Sequence, residues 1–138
     1  RFGAVKAHLE PKCRLKESMI ISKFASAMID VSDGLAPEVG HICESSRVGA
    51  IVEKEKIPVS KQTLAAAELL KADAYDFALH GGEDYELVFT VSQKNLAMLK
   101  AKFKAFAVVG KILPQKSGIC LLENGKKKSL GKGYDHFE

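Results

Sequence analysis

The sequence predicts an α+β fold, a sandwich in which helices pack around a mixed sheet. Segments with helical periodicity alternate with short apolar strands along most of the 138 residues. Towards the C-terminal end, Asn124-Gly125 separates two strand-like runs, which is the strongest short signal for a β-hairpin. Alternating helices and strands favour parallel pairing, whereas a hairpin joins antiparallel strands. Together these observations indicate strands of mixed direction.

The first predicted elements are a helix at 15–26 and a short, mostly buried strand at 27–31. The side chains expected on the buried face of the helix are Met19, Ile20, Phe24 and Ala27. Gly34 then interrupts the chain, and a second helix begins near Ala36. Proline is tolerated only in the first turn of a helix, which is where Pro37 would lie.

The apolar stripe of this second helix contains Leu35, Val39, Ile42, Cys43 and Ser46. Beyond it, Ser60 and Ser92 are expected to cap two further helices, because a serine side chain can accept a hydrogen bond from a free N–H of the first turn. The remaining predicted elements are a strand at 50–52, a helix at 61–71, a helical or extended link at 72–80, a strand at 85–91, a helix at 93–103, a strand at 106–113, and hairpin strands at 119–123 and 126–130.

Composition is that of one globular domain, with 46% hydrophobic and 28% charged residues. The net charge of +4 suits anionic phosphates but is too small to indicate nucleic acid. Three widely separated cysteines argue against a disulfide framework and for a reducing cytoplasm. Apolar runs are shorter than a membrane span, so we do not expect a membrane as a partner. Because the net charge is small, we do not expect nucleic acid as a partner either.

The first candidate site lies where the strand at 27–31 meets the second helix. Asp30 and Ser32 point to the same side of the strand, and Asp33 follows at the helix mouth, near free N–H groups. Carboxylates suit Mg²⁺ and a helix mouth suits phosphate, so the pattern is typical of a site for metal-bound phosphate. Alternatively Ser32 or Asp33 only caps the helix, which would leave Asp30 unexplained.

The second candidate site begins at His80 and contains Gly81-Gly82 followed by an acidic pair, Glu83-Asp84, just before the strand predicted at 85–91. Two glycines let the backbone approach a ligand closely, and a loop held by a scaffold can present function. The alternative is a solvated acidic turn in which His80 is an ordinary turn or core residue. A lysine-rich run at 125–133 has the composition of a phosphate loop, but its glycine spacing is wrong, so it reads as a solvated hairpin edge.

Three segments together resemble the thiamine-monophosphate kinases, and residues 7–11 resemble the segment before the C-terminal domain of those enzymes. The segments are Ala27-Met28-Ile29-Asp30-Val31-Ser32-Asp33-Gly34-Leu35, Gly81-Gly82-Glu83-Asp84-Tyr85-Glu86-Leu87 and Gly133-Tyr134-Asp135-His136-Phe137. The first is shared more loosely across the aminoimidazole-ribotide-synthetase superfamily, and the second is much more specific. The resemblance extends over nearly the whole chain in the right order.

The resemblance implies a kinase that transfers the γ-phosphoryl group of ATP to thiamine monophosphate, giving thiamine diphosphate. Residues 1–14 would be the lead-in from an N-terminal ATP-binding domain. Residues 15–138 would be the C-terminal domain, a three-layer α/β sandwich with a mixed sheet, distantly like a ferredoxin fold. The N-terminal domain would bind much of the Mg·ATP and form a homodimer.

The resemblance also implies roles for individual residues. Asp30 and Asp33 would bind Mg²⁺, and Ser32 would contact ATP. Glu83 would contact the thiamine phosphate, and Tyr134, where the family often has Trp, would stack on the thiamine ring. No catalytic residue is implied, because phosphoryl transfer depends mainly on positioning and on the metal.

Two other functions stay open at this stage. One is another ATP-dependent enzyme of the same superfamily, of the selenophosphate or aminoimidazole-ribotide synthetase type, against which the block at 81–87 argues. The other is a non-enzymatic module whose basic C-terminal hairpin binds nucleic acid or a partner, against which the lack of apparent stacking aromatics argues.

Overall fold

The computed structural model of the protein describes residues 14–81 and 86–130. The helices are α1 (Leu15–Ile21), α2 (Leu35–Ser46), α3 (Lys61–Leu70), α4 (Ala74–His80) and α5 (Gln93–Lys102). The strands are β1 (Ala27–Asp30), β2 (Val48–Glu53), β3 (Leu87–Thr90), β4 (Gly110–Pro114), β5 (Ile119–Glu123) and β6 (Lys126–Ser129). Single turns of 3₁₀ helix follow β2 and β4, at Lys54–Lys56 and Gln115–Ser117. Over these described ranges no helix has the length and hydrophobicity to cross a bilayer.

The described strands form a four-stranded mixed sheet and a two-stranded ribbon. In the sheet the spatial order is β4-β2-β5-β6, with β2 parallel to β5 and antiparallel to β4. In the ribbon β1 and β3 are antiparallel, so that Ala27 lies opposite Thr90 and Asp30 lies opposite Leu87. The predicted α+β class and the mixed sheet are therefore confirmed.

Two hydrophobic clusters hold these elements together. The larger cluster joins α2 and α4 to the mixed sheet. Its buried members are Ala36, Val39, Cys43, Ala50, Val52, Ile57, Leu79, Leu121 and Leu130. The smaller cluster consists of Ile21, Phe24 and Leu99, against which side chains of the β1–β3 ribbon pack. Burial of apolar surface contributes about 25 cal/mol per Å², so the clusters account for much of the stability.

The predicted helix caps are confirmed. Ser60 Oγ accepts a hydrogen bond from the Thr63 N–H at 3.0 Å, and Ser92 Oγ accepts one from the Asn95 N–H at 3.2 Å. Each bond satisfies a first-turn donor that would otherwise lack a partner within its helix. Both helices therefore begin where the sequence predicts.

The predicted hairpin is also confirmed. Asn124 and Gly125 have φ values of +50° and +75°, the positive pair that a two-residue type I′ turn requires. The lysine-rich strand β6 that follows is exposed and lies at the edge of the sheet, as expected of a solvated hairpin edge.

The prediction for α1 is wrong in its length and in part of its buried face. The helix ends at Ile21, which is 2% exposed, whereas Met19 and Ile20 are 63% and 36% exposed. Phe24 is buried as predicted, but it lies beyond the helix. The buried side is the one that meets Leu99 of α5, a contact that the spacing within α1 does not reveal.

The last strand before the hairpin begins later than predicted, at Gly110 instead of position 106. Phe106 serves the smaller cluster instead of a strand ladder. Its ring lies 5.6 Å from that of Phe89 in an edge-on arrangement and 6.1 Å from that of Phe103 in a stacked one. Aromatic packing therefore takes precedence over strand pairing in this segment.

Candidate functional site

The residues predicted to bind metal and nucleotide lie together where β1 ends and α2 begins. Asp30 is the last residue of β1, Ser32 and Asp33 follow it, and all three are exposed. We call residues 30–34, which connect β1 to α2, the link. Val31, between Asp30 and Ser32, is buried, and alternation along the chain directs its neighbours to the other side. The predicted position at a strand end is confirmed, and the three residues are accessible to solvent.

The β1–β3 ribbon brings this link beside the second candidate site. The Val31 N–H donates a hydrogen bond to the carbonyl oxygen of Glu86 at 2.7 Å. The preceding residue, Asp30, lies opposite Leu87. Two motifs that are far apart in the sequence are therefore adjacent in the fold.

Gly34 holds the other end of the link against α4. Its φ of +105° is a conformation that glycine adopts far more readily than other residues. A Cβ at this position would lie 2.5 Å from the Leu79 carbonyl oxygen and 2.8 Å from His80 Cα. The close approach requires glycine, and it places the link beside the helix end that leads into the second motif.

The alternative in which Ser32 or Asp33 caps α2 is wrong. The N-cap position is occupied by Gly34, and no side-chain cap is made there. Pro37 lies in the first turn of the helix, where the missing N–H of proline removes no helical hydrogen bond. The Asp33 carboxylate is therefore not committed to the helix start.

A buried acid reaches back from the first turn of α2 to the link. Glu38 is 2% exposed. Its Oε1 accepts a hydrogen bond from the Ser32 hydroxyl at 3.0 Å and lies 3.4 Å from the backbone nitrogens of both Ser32 and Asp33. The positive end of the helix dipole also favours a carboxylate at this position.

Glu38 is not among the site residues predicted from the sequence, although its position carries a signal. Glu38 shares the helical spacing of Leu35, Val39 and Ile42, so a carboxylate stands on an apolar stripe. A buried carboxylate costs free energy unless it is hydrogen-bonded or paired. The pattern therefore predicts that such an acid has a definite partner in the fold.

Asp30 and Asp33 are suited to a magnesium ion that also contacts phosphate. Among residues 14–81 and 86–130, neither forms an ion pair with a basic side chain. Magnesium is commonly held by one or two carboxylates together with waters and substrate phosphates, which fits two exposed acids. The same ranges contain no group of three acidic, His or Cys side chains that could hold a metal. A Mg²⁺ ion held by Asp30 and Asp33 would therefore need further ligands from outside these groups.

The second motif is anchored by an ion pair at the start of β3. Arg14 Nη2 donates to Glu86 Oε1 at 2.6 Å, and Arg14 Nη1 lies 3.3 Å from Glu17 Oε1. The hydrogen bond to Glu86 is the main cause of a raised pKa of the Arg14 guanidinium. The pair connects the residue before α1 to the motif that borders the link.

The two predicted substrate-binding residues, Glu83 and Tyr134, lie outside the described residues. Their positions in the site therefore stay predictions. The residues that border the gap around Glu83 are described: Gly81 follows α4, and Glu86 precedes β3. Glu86 contacts Val31 of the link, and His80, the residue before Gly81, lies close to Gly34.

Sequence comparison relates this arrangement to known proteins. Residues 4–122 match the family model described as AIR synthase related protein, C-terminal domain. A thiamine-monophosphate kinase of Buchnera aphidicola subsp. Acyrthosiphon pisum is 41% identical over 140 residues, which cover 97% of this chain and 42% of that protein. The enzyme of the same name from Escherichia coli strain K12 is 35% identical over 96% of this chain and 42% of its own length. The chain thus spans less than half the length of these relatives.

Solved structures share the fold. The structure described as AaThiL complexed with AMPPCP and TMP has a TM-score of 0.79 at 29% identity, over 99% of this chain and 41% of that chain. A crystal structure of thiamine monophosphate kinase from Aquifex aeolicus has a TM-score of 0.76 at 28% identity, over 93% of this chain and 41% of that chain. The described helices and strands therefore have close counterparts in part of each of these larger proteins.

Proposed function

The chain belongs to the family of AIR synthase related proteins, whose C-terminal domain it matches, and from this premise we propose that it is the C-terminal domain of a thiamine-monophosphate kinase. The proposed enzyme transfers the γ-phosphoryl group of ATP to thiamine monophosphate and forms thiamine diphosphate. Relatives of that name match nearly the whole chain at 41% and 35% identity. A similar structure is described as complexed with AMPPCP, which is an ATP analogue, and with TMP.

The single observation that carries the proposal is the pair of exposed carboxylates, Asp30 and Asp33, beside the second motif. Transfer between two phosphate groups brings negative charges together, and a divalent cation is needed to screen their repulsion. Neither acid forms an ion pair with a basic side chain in the described part of the chain. Both are therefore open to a cation that arrives with the nucleotide.

In the proposed reaction this domain positions phosphates and is not required to accept a proton. The attacking atom is a phosphate oxygen that is already deprotonated at neutral pH, so no strong general base is needed. Asp30 and Asp33 hold Mg²⁺, which when bound neutralises charge on the phosphates. Ser32 contacts ATP, and Gly34 keeps the link close to α4.

Glu83 and Tyr134 form the substrate side of the proposed site. Glu83 follows two glycines, whose freedom from side chains allows the loop to approach the thiamine phosphate closely. Tyr134 stacks on the thiamine ring, where a face smaller than that of Trp supplies the contact.

The proposal extends to the organisation of the whole protein. Residues 1–14 lead in from an N-terminal ATP-binding domain, and residues 15–138 are the C-terminal domain. The whole enzyme is a cytoplasmic homodimer that is joined through its N-terminal domain. Its partners are ATP and thiamine monophosphate, with neither nucleic acid nor a membrane required.

The test is an assay of the full-length protein with Mg·ATP and thiamine monophosphate, in which thiamine diphosphate and ADP are quantified by chromatography. We expect the two products in equal amounts. The control reactions replace thiamine monophosphate with selenide or with the ribonucleotide substrate of aminoimidazole-ribotide synthesis. Turnover with one of these compounds and none with thiamine monophosphate would favour the alternative superfamily enzymes.

The 138-residue chain by itself is expected to fold but to be essentially inactive. Its described residues contain no complete set of metal ligands, so phosphates would lack part of their binding site. Circular dichroism checks folding, and the same chromatographic assay checks activity. Turnover by the isolated chain at the rate of the full-length protein would contradict this division of the site.

A further inference from the structure

Glu38 makes an unusual set of contacts for a residue on the apolar stripe of a helix. The three hydrogen bonds that it makes with described residues all go to Ser32 and Asp33, and all three use the same oxygen, Oε1. Within the described ranges no lysine, arginine or histidine forms an ion pair with it. The buried carboxylate is therefore hydrogen-bonded to the link and is not paired with a basic side chain of these ranges.

The helix dipole favours a carboxylate in the first turn by about 0.3–1 kcal/mol, which is less than the cost of burying a charge, so the stability of the fold alone does not explain an acid at this position. A leucine of similar volume would fit an apolar stripe without the cost of burying a charge. Ser32 and Asp33 are exposed, so water could satisfy their N–H groups if the acid were absent. What Glu38 adds is a defined conformation of the link, because one oxygen ties down two consecutive residues.

We infer that Glu38 is a positioning residue for the cation site: it holds the 32–33 backbone so that the Asp33 carboxylate remains free and directed to solvent. The inference rests on the proposed function, since it takes Asp33 as a metal ligand. Groups outside the ligand shell that orient ligands commonly change metal affinity by about 10–100-fold when they are removed. Glu38 has this place in the structure, one step behind the ligand.

The same contact assigns a direction to the Ser32 hydroxyl. Its proton is donated to Glu38 Oε1 at 3.0 Å, so only its lone pairs face outward. With its proton in this bond, Ser32 can accept a hydrogen bond from an N–H or O–H group of the nucleotide. It does not donate to an ionised phosphate oxygen, which can only accept.

The test uses two variants of the full-length protein that differ in the acceptor atom. Glu38→Gln retains an oxygen at the Oε1 position but lacks the charge, whereas Glu38→Leu retains the volume but has no acceptor. Mn²⁺ replaces Mg²⁺ as a spectroscopic probe, and its dissociation constant is measured by electron paramagnetic resonance with AMPPCP present. We expect Glu38→Leu to weaken Mn²⁺ binding about 10-fold or more and Glu38→Gln to stay within about 3-fold of wild type.

Equal Mn²⁺ affinity in Glu38→Leu and wild type would overturn the inference. Equal weakening in both variants would also overturn it, because charge and not the acceptor geometry would then be responsible. Unfolding of Glu38→Leu is checked by thermal denaturation. If that variant does not fold, hydrogen exchange of the peptide at 30–38 is measured in Glu38→Gln and Ser32→Ala instead. We expect the peptide to exchange as slowly in Glu38→Gln as in wild type. Fast exchange in Glu38→Gln would refute the role of Oε1.

Asp33→Asn separates failure of this inference from failure of the proposed function. It should weaken Mn²⁺ binding by itself. In the Asp33→Asn background, Glu38→Leu should cause little further loss of Mn²⁺ affinity, because Glu38 acts through Asp33. Unchanged Mn²⁺ affinity in Asp33→Asn would contradict the metal site itself. If Asp33→Asn weakens Mn²⁺ binding as expected, but the losses caused by Asp33→Asn and Glu38→Leu simply add in the double variant, only the positioning role would be contradicted.

Discussion

Two acidic regions of this domain use the same residue types in opposite ways. In the first, which we call the Lys54 cluster, Lys54 Nζ donates to Asp73 Oδ2 and to Glu123 Oε1, each at 2.6 Å. Lys128 Nζ donates to the other Glu123 oxygen at 2.6 Å. In the second, the link at 30–34, Asp30 and Asp33 are exposed and form no ion pair with a basic side chain of the described residues.

The difference lies in whether basic side chains of the protein itself pair with the acids. The Lys54 cluster contains its own cations, so its acids join the turn after β2, the start of α4 and the β5–β6 hairpin. Hydrogen bonds to Lys128 and Lys54 lower the pKa of Glu123 to about 2, and those to Asp73 and Glu123 raise the pKa of Lys54. At the link the buried Glu38 is hydrogen-bonded to Ser32 and Asp33, and the exposed acids have no basic partner among the described residues, which the proposed cation site requires. Acids that stabilise a fold can thus be told from acids available for binding by their partners.

The largest expected effect compares one acid from each region in the full-length protein. Asp30→Asn should lower Mg²⁺-dependent turnover by about 100-fold, since a metal contribution of several kcal/mol depends on its ligands, with little change in stability. Asp73→Asn should leave turnover near wild type and cost about 0.2–1 kcal/mol of stability, because Asn still caps α4 but lacks the ion pair. Steady-state kinetics at limiting Mg²⁺ and urea unfolding measure the two effects. The regions would be alike if Asp30→Asn kept full turnover at limiting Mg²⁺.

The next effect distinguishes two glycines in or beside α2. Gly34→Ala should destabilise the protein by about 1–3 kcal/mol or more, because its φ of +105° is strained for alanine and a Cβ would meet the α4 backbone. Gly40→Ala is the matched control, because among the described residues no atom beyond its own helix backbone and chain neighbours lies within 4 Å of the added Cβ. Alanine is more stable than glycine inside a helix by about 0.5–1 kcal/mol. Urea unfolding of both variants measures these changes. Equal stability of the two variants would show that the contact between the link and α4 is dispensable.

The smallest effect is the pH dependence of stability that the Lys54 cluster contributes. Glu123 has a pKa of about 2 in the folded protein against an ordinary 4.5, so its stabilising contribution is present above pH 4.5 and is lost as pH falls towards 2. Glu123→Gln should therefore be less stable than wild type at pH 7, and the difference should shrink between pH 4.5 and 2. Glu68→Gln, a change of an exposed acid on α3, is the control in the same unfolding series. A difference that stayed constant with pH would contradict the role of the lysine partners.

Features that depend on neighbours a few residues away were predictable. Ser60 and Ser92 cap their helices through a residue three positions later, and Asn124-Gly125 forms its turn through its own backbone angles. The position of Asp30 at a strand end followed from local alternation in the same way. The roles of Glu83 and Tyr134 rest on motif resemblance and remain predictions.

Features that depend on distant contacts were decided by the tertiary structure. Which face of α1 is buried depends on Leu99, and where β4 begins depends on the packing of Phe106. That Gly34 and not Ser32 or Asp33 occupies the N-cap position of α2 depends on the close approach of α4. The sequence by itself determined the α+β class, the caps, the hairpin and the candidate acids, because hydrogen bonds and side-chain alternation over a few residues are encoded locally. Only the fold could assign Glu38 to the link and leave Asp33 free, because burial and long-range approach exist only once the chain has packed.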